Sequence, residues 1–313
     1  MKHTIKITAI LLVMFIVTQI IGLLVVNSYL PKQELIFNET SGQYENVTIV
    51  QPLPYGMQPP EIPASQSLIS IIFSFAIAII LLLILAKYKW KFFIRGWFFL
   101  VVALALAIAF NSLLKYFSFY SYIIALIIAV PIAYFKIYRP SILVHNFTEL
   151  LIYPGIAAVF VPILNVWTVF FLLILISGYD MWAVWHSGIM QKMAKFQMNE
   201  LKVFGGFLVP YMSKKVKQQI ANLKKLKSRG KGKKIRINLA ILGGGDVVFP
   251  IITSGIFLKF YGVIPALFVV AGATLALLFL FALSEKKKFY PAMPFITSGI
   301  LLALLIWRIL LLF

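Results

Sequence analysis

Two stretches decide how this chain is read: FLLILISGYDMWAVW, residues 171–185, and INLAILGGGDVVFPIITS, residues 237–254. Each sets one aspartate, Asp180 or Asp246, inside an apolar run. The chain holds nine acidic residues, and these two are its only aspartates. An ionised carboxylate in hydrocarbon costs roughly 3 kcal/mol even on the gentler insertion scales, so such a residue faces a partner or water and has a function there.

Outward from these stretches the apolar pattern continues. Of 313 residues, 62% are hydrophobic and 12% charged, more apolar side chain than a soluble globule of this size can cover with a polar skin. Runs long enough to cross a bilayer fall near 5–27, 67–87, 96–114, 118–135, 141–162, 164–185, 236–258, 261–283 and 291–311. The expected fold is an all-α polytopic membrane protein with nine transmembrane helices. Residues 1–185 carry the first six, with an outward loop at 28–66. Residues 186–235 form a long loop, and 236–313 carry the last three. Residues 1–26 resemble a signal peptide, yet the run is long enough to span and no small-x-small cleavage site follows, so a retained helix is expected.

The formal charge of +20 would point to nucleic acid in a soluble protein. Here the basic residues lie between apolar runs. If the N-terminus is cytoplasmic, 25 of the 29 Lys and Arg fall on the cytoplasmic side, as the positive-inside rule requires. Loop 186–235 is then cytoplasmic, the C-terminus lies outside, and nucleic acid is not expected as a partner. With no organelle signal in view, a prokaryotic plasma membrane is the expected location. The tract Lys214–Lys234 reads as a solvated segment near anionic headgroups, and loop 28–66, with its sequons at Asn38 and Asn46, as flexible. There is no cysteine, and His3, His145 and His186 are scattered, so neither a metal nor a cofactor is expected.

Depth brings the aspartates together. Asp180 lies 12 residues before Lys192, and Asp246 lies 10 after Arg236. On a helical rise these are roughly 18 and 15 Å from the cytoplasmic face. Two carboxyl groups that meet in a low-dielectric site cannot both ionise, and the pair holds one proton near neutral pH. That state suits amide hydrolysis: the ionised member takes a proton from water and the protonated member supports the carbonyl oxygen. Gly243, Gly244 and Gly245 are costly in a helix, by about 1 kcal/mol each relative to alanine, and suit close approach of a bound chain. Exposed backbone there could receive an opened substrate by strand addition.

Tyr179-Asp180, then Leu242-Gly243-Gly244-Gly245-Asp246, then Pro291-Ala292-Met293-Pro294 resemble the presenilin and signal peptide peptidase family of intramembrane GxGD aspartyl proteases. That family carries Tyr-Asp in its sixth helix, Gly-x-Gly-Asp in its seventh and Pro-Ala-Leu at the start of its ninth. Met293 departs from the leucine, a swap that nearly keeps volume and polarity. A literal Pro265-Ala266-Leu267 lies inside the eighth span and reads as a decoy. The resemblance implies that Asp180 and Asp246 are the catalytic dyad and that Pro291, Ala292 and Met293 shape the site. It further implies that single transmembrane helices, including signal-peptide remnants, are the substrates. Membrane lipids surround the protein, no obligatory protein partner is implied, and a homo-oligomer is allowed. The loop orientation matches presenilin and inverts that of signal peptide peptidase, so substrates with an extracytoplasmic N-terminus are expected.

The alternative is a proton-coupled transporter using the same two aspartates as a relay. Among other polar residues, Glu149 reads as a cavity acid, a partner of His145 or a satisfied contact between helices. Tyr179 either reaches the dyad or packs, Trp182 and Trp185 suit an interfacial belt, and Arg308 snorkels to headgroups.

Overall fold

In the computed structural model the described residues are 5–38, 43–49, 52–57, 90–187, 204–211, 238–284 and 290–312, with scattered helical positions between 69 and 84. They form a helical bundle: α1 (Ile5–Tyr29), α2 (Lys91–Leu114), α3 (Ser121–Tyr138), α4 (Ile142–Phe160), α5 (Val166–Trp182), α6 (Gly244–Tyr261), α7 (Val263–Leu283) and α8 (Met293–Leu310). A π-helical turn, Ala183–Ser187, follows α5. The sequence predicts nine helices; among the described residues there are eight, seven of them long and apolar enough to cross a membrane. The expected second span, 67–87, falls mostly outside the described residues. Of α6, Asp246, Lys259 and the glycines lower the apolarity.

Local chemistry sets the boundaries. Ser141 caps α4 by accepting from the Val144 amide. Asn165 and Thr168 form a reciprocal capping box at the start of α5. Between α6 and α7 the chain reverses on Gly262 alone, at φ +88°, a conformation that favours glycine.

Two regions depart from the sequence reading. The loop at 28–66 contains an antiparallel strand pair, β1 (Lys32–Asn38) and β2 (Gln43–Ile49), in place of a flexible connection. Its runs of Ile, Phe, Tyr, Val and Thr on either side of turn-forming residues explain the pairing. The seventh span does not begin as a helix. Asn238–Gly243 is a strand, β4, paired antiparallel with β3 (Gly206–Tyr211) from the long loop, and the helix starts only at Gly244. A six-residue apolar run suits a strand as well as a helix, and a partner strand decides it. The basic tract 214–234 lies outside the described residues.

The core has two lobes that share α1 and α4. One lies among α1–α4, and the other among α1, α4–α8, β3 and β4. Helix α6 sits within the second lobe, against α1, α4, α5, α7 and α8. Nine of its residues are buried, from Val247 and Pro250 to Phe257, whereas α5 buries only Thr168, Val169, Leu173 and Asp180. Phe257, Tyr261 and Trp307 join α6 to α8 at the end remote from Asp246, with ring centroids 5.5 to 6.4 Å apart. Helices α7 and α8 meet main chain to main chain: a methyl on Gly299 would lie 2.5 Å from the Gly272 carbonyl oxygen.

Candidate active site

Asp246 owes its place to the strand-to-helix transition. Gly243 is extended and forms the N-cap of α6, so Asp246 is third in the first helical turn. Its carboxylate turns back onto the Gly243 amide, which donates to it as in half of a capping box. The helical ruler used for its depth therefore fails over 238–243, where the chain is a strand.

The three glycines separate in role. A side chain on Gly243 would meet Asp246 Oδ2 at 3.1 Å, and one on Gly244 would meet the Tyr153 hydroxyl at 2.7 Å. Both are explained by neighbours in the chain itself. Gly245 is exposed and only Phe249 comes near, so it alone leaves backbone open to an approaching chain. All three sit at a helix terminus, so the mid-helix penalty expected from the sequence does not apply. Leu242 is buried and pairs with Phe207 across the sheet.

Asp180 lies in the last turn of α5 and is 9% exposed. Its Oδ2 accepts from the Met293 amide at 3.0 Å, and the Ala292 amide is also directed at it. These amides open α8, where unpaired N–H groups and the helix dipole favour a carboxylate. Pro291 and Met293 are buried beside it. One turn back along α5, Ser177 and Thr297 share a hydrogen bond of 2.8 Å between α5 and α8. Pro265-Ala266-Leu267 opens α7, and the Asp180 hydrogen bond goes instead to the Pro291–Met293 segment.

The structure thus brings Asp180, Asp246, Gly243–Gly245 and Pro291–Met293 into one region where α5, α6 and α8 adjoin, and the two carboxyl groups lie close enough to interact electrostatically. Tyr179 does not join them: it is exposed, with its ring 6.2 Å from that of Trp182. Among the described residues no cluster of histidine and acids would hold a metal.

Three polar residues near the site escaped the sequence reading. Gln19 of α1, fully buried, donates to the Val247 carbonyl beside Asp246 at 3.0 Å. Tyr153 of α4 is 4% exposed, and its hydroxyl lies between Gly244 and the buried Glu149. Lys136, counted as a loop cation, is buried and bonded to Glu149 at 2.6 Å. Each is a polar side chain inside an apolar helix, which is the signal that singled out the aspartates.

Comparison with known proteins gives the same direction. The family model described as signal-peptide peptidase, presenilin aspartyl protease matches residues 48–311. No curated protein sequence matches. Among solved structures, a presenilin family intramembrane aspartate protease in a C222 crystal form is similar, with TM-score 0.61 and 18% identity, over 97% of this chain and 99% of the other. A presenilin family intramembrane aspartate protease in a P2 form gives TM-score 0.59 and 19% identity, over 96% of each chain. Nothing in these likenesses supports the transporter alternative.

Proposed function

This chain belongs to the signal-peptide peptidase and presenilin family of aspartyl proteases, a multi-pass membrane enzyme family, and on that premise we propose that Asp180 and Asp246 are its catalytic dyad. The pair hydrolyses peptide bonds within single transmembrane helices, including signal-peptide remnants. One carboxylate takes a proton from water as it attacks the scissile carbonyl, and the other, protonated, hydrogen-bonds the carbonyl oxygen and then helps the amine leave. Neither a metal nor a cofactor takes part.

The observation that carries this reading is the hydrogen bond from the Met293 amide to Asp180, at the junction that also holds Asp246. It ties all three sequence motifs to one place. The Met293 amide at the head of α8 occupies Asp180 Oδ2 and, with the Ala292 amide, fixes the orientation of the carboxyl group. Ala292 and Met293 act in this way through backbone, so Met293 in place of leucine is accommodated. The edge of β4 that no described strand covers, running into Gly243 and Asp246, receives the opened substrate as an added strand, with Gly245 giving it room.

The chain crosses the membrane nine times, with the N-terminus and loop 186–235 in the cytoplasm of a prokaryotic cell, and acts on substrates whose N-terminus is extracytoplasmic. It needs no obligatory protein partner. The test is cleavage of a transmembrane reporter peptide by purified protein in detergent, with products read by mass spectrometry. Wild type cleaves; Asp180→Asn and Asp246→Asn do not. Cleavage that persists in either variant at the wild-type rate removes the dyad.

A further inference from the structure

The buried cluster around Lys136 plays no part in the chemistry above, yet every proton in it is committed. The three donors of the Lys136 ammonium meet Glu149 Oε1 at 2.6 Å, Thr148 Oγ1 at 3.1 Å and His145 Nδ1 at 3.4 Å. Thr148 in turn donates to the His145 carbonyl at 2.8 Å. The far nitrogen of His145 lies 2.7 Å from the Gly206 carbonyl oxygen. A carbonyl only accepts, so Nε2 carries the proton and Nδ1 is left to accept from Lys136. The lysine thereby fixes the imidazole tautomer that grips β3.

One residue further along α4, Asn146 completes the grip. Its amide donates to the Leu208 carbonyl at 2.8 Å and its carbonyl accepts from the Leu208 N–H at 3.0 Å. Main-chain groups of Gly206 and Leu208 therefore point away from β4. By the two-residue period of a strand, Pro210 faces the same way, and proline has no N–H to offer. The outer edge of β3 is therefore engaged at the Gly206 carbonyl and at both groups of Leu208, and it lacks a donor at Pro210. On β4 the residues opposite these three are Gly243, Ile241 and Leu239. Among the described residues no strand covers that edge.

We propose that Lys136, Glu149, His145 and Asn146 are positioning residues that close the β3 edge and clamp the sheet to α4, so that only the β4 edge receives substrate and in one register. This rests on the dyad reading, because register has meaning only against a fixed pair of aspartates. A clamped β4 holds Leu239 and Ile241 at a constant distance from Asp246, and the scissile bond is then set by how the substrate strand pairs there. Slippage of an added strand moves the cut along the substrate.

The experiment reads where the reporter is cut as well as how fast. One variant is the double substitution Lys136→Met, Glu149→Leu, which replaces both charges together and so leaves no uncompensated ion. The other is Asn146→Ala, outside the ion pair, which keeps the test open if the first does not fold. Both are expected to turn one dominant product into a set offset by one or more residues, and to lower kcat/KM about ten-fold, as the loss of two hydrogen bonds implies. His145→Gln, which keeps a donor towards Gly206, retains the wild-type product. Wild-type product positions in both folded variants overturn the proposal. Failure of the dyad reading would show separately, as cleavage by Asp180→Asn.

Discussion

Helices α5 and α6 each supply one aspartate, and they are built on opposite plans. Helix α6 is buried on nearly every face and is held by Gln19 from α1, by the backbone reversal at Gly262 and by the Phe257–Tyr261–Trp307 cluster. Helix α5 buries four residues, packs Val166, Phe170, Leu172 and Ile176 partly against the core, and leaves Phe171, Ile174 and Leu175 exposed. Asp246 is gripped by its own helix terminus, whereas Asp180 is gripped by the terminus of another helix, α8. Asp246 thus stands on a helix enclosed by the core, and Asp180, itself buried, stands on a helix at the core's edge, held by Val169 and Leu173, by amides at the start of α8 and by one hydroxyl pair. In a dyad of this construction the fixed member sets the geometry and the peripheral member can adjust when a substrate enters.

The strongest test of this contrast removes each carboxylate in turn. Both Asp→Asn changes should lower cleavage by on the order of 10³-fold or more, the scale of general acid–base catalysis. They should differ in stability. Asp180→Asn weakens the mooring of α5 to α8, so it should lower the midpoint of thermal unfolding in detergent more than Asp246→Asn does. Equal shifts would break the contrast.

A smaller effect is expected from crowding the fixed side. Gly244→Ala forces a methyl against the Tyr153 hydroxyl, at a cost of about 1–3 kcal/mol for overpacking. Tyr153→Phe in the same chain should restore part of the stability, as read by unfolding in detergent. Loosening the moored side costs less. Ser177→Ala removes the hydroxyl pair with Thr297, worth about 0.6 kcal/mol between helices in a membrane. Its effect should fall on the unfolding midpoint and, more weakly, on cleavage. Met293→Leu should change least, because the Met293 group that meets Asp180 is its backbone amide. A large loss of activity there would mean that the side chain acts on the site directly.

The aspartates were legible because charge in an apolar run is rare and expensive, and that rule needs no knowledge of the fold. Pro291–Met293 could be assigned over Pro265–Leu267 because Pro291 opens the ninth apolar run after a charged turn, whereas Pro265 lies inside the eighth. Strand β4 was hidden, since Leu239–Leu242 extends the apolar run of α6 and its partner lies some thirty residues earlier in a loop. Strands β1 and β2 carried a readable pattern of β-branched and aromatic residues that was outweighed by nearby Pro, Gln and Asn. Lys136 shows the limit of counting charges: a cation at the end of a span scores as cytoplasmic whether it meets water or, as here, Glu149. Tyr153 and Gln19 gave the weaker signal of uncharged polar groups in apolar helices, and only packing reveals that they border Asp246.

The contact between Gly272 and Gly299 has a consequence for how this molecule can vary. Where main chain touches main chain, no side chain can yield, and a single added carbon at Gly299 must push α7 and α8 apart. Since α8 carries the amides that moor Asp180, a mutation two turns along α8 from those amides would be felt at the carboxylate as a change of position. Inheritance can rewrite the outward face of α5 freely, while this seam tolerates almost no alphabet at all.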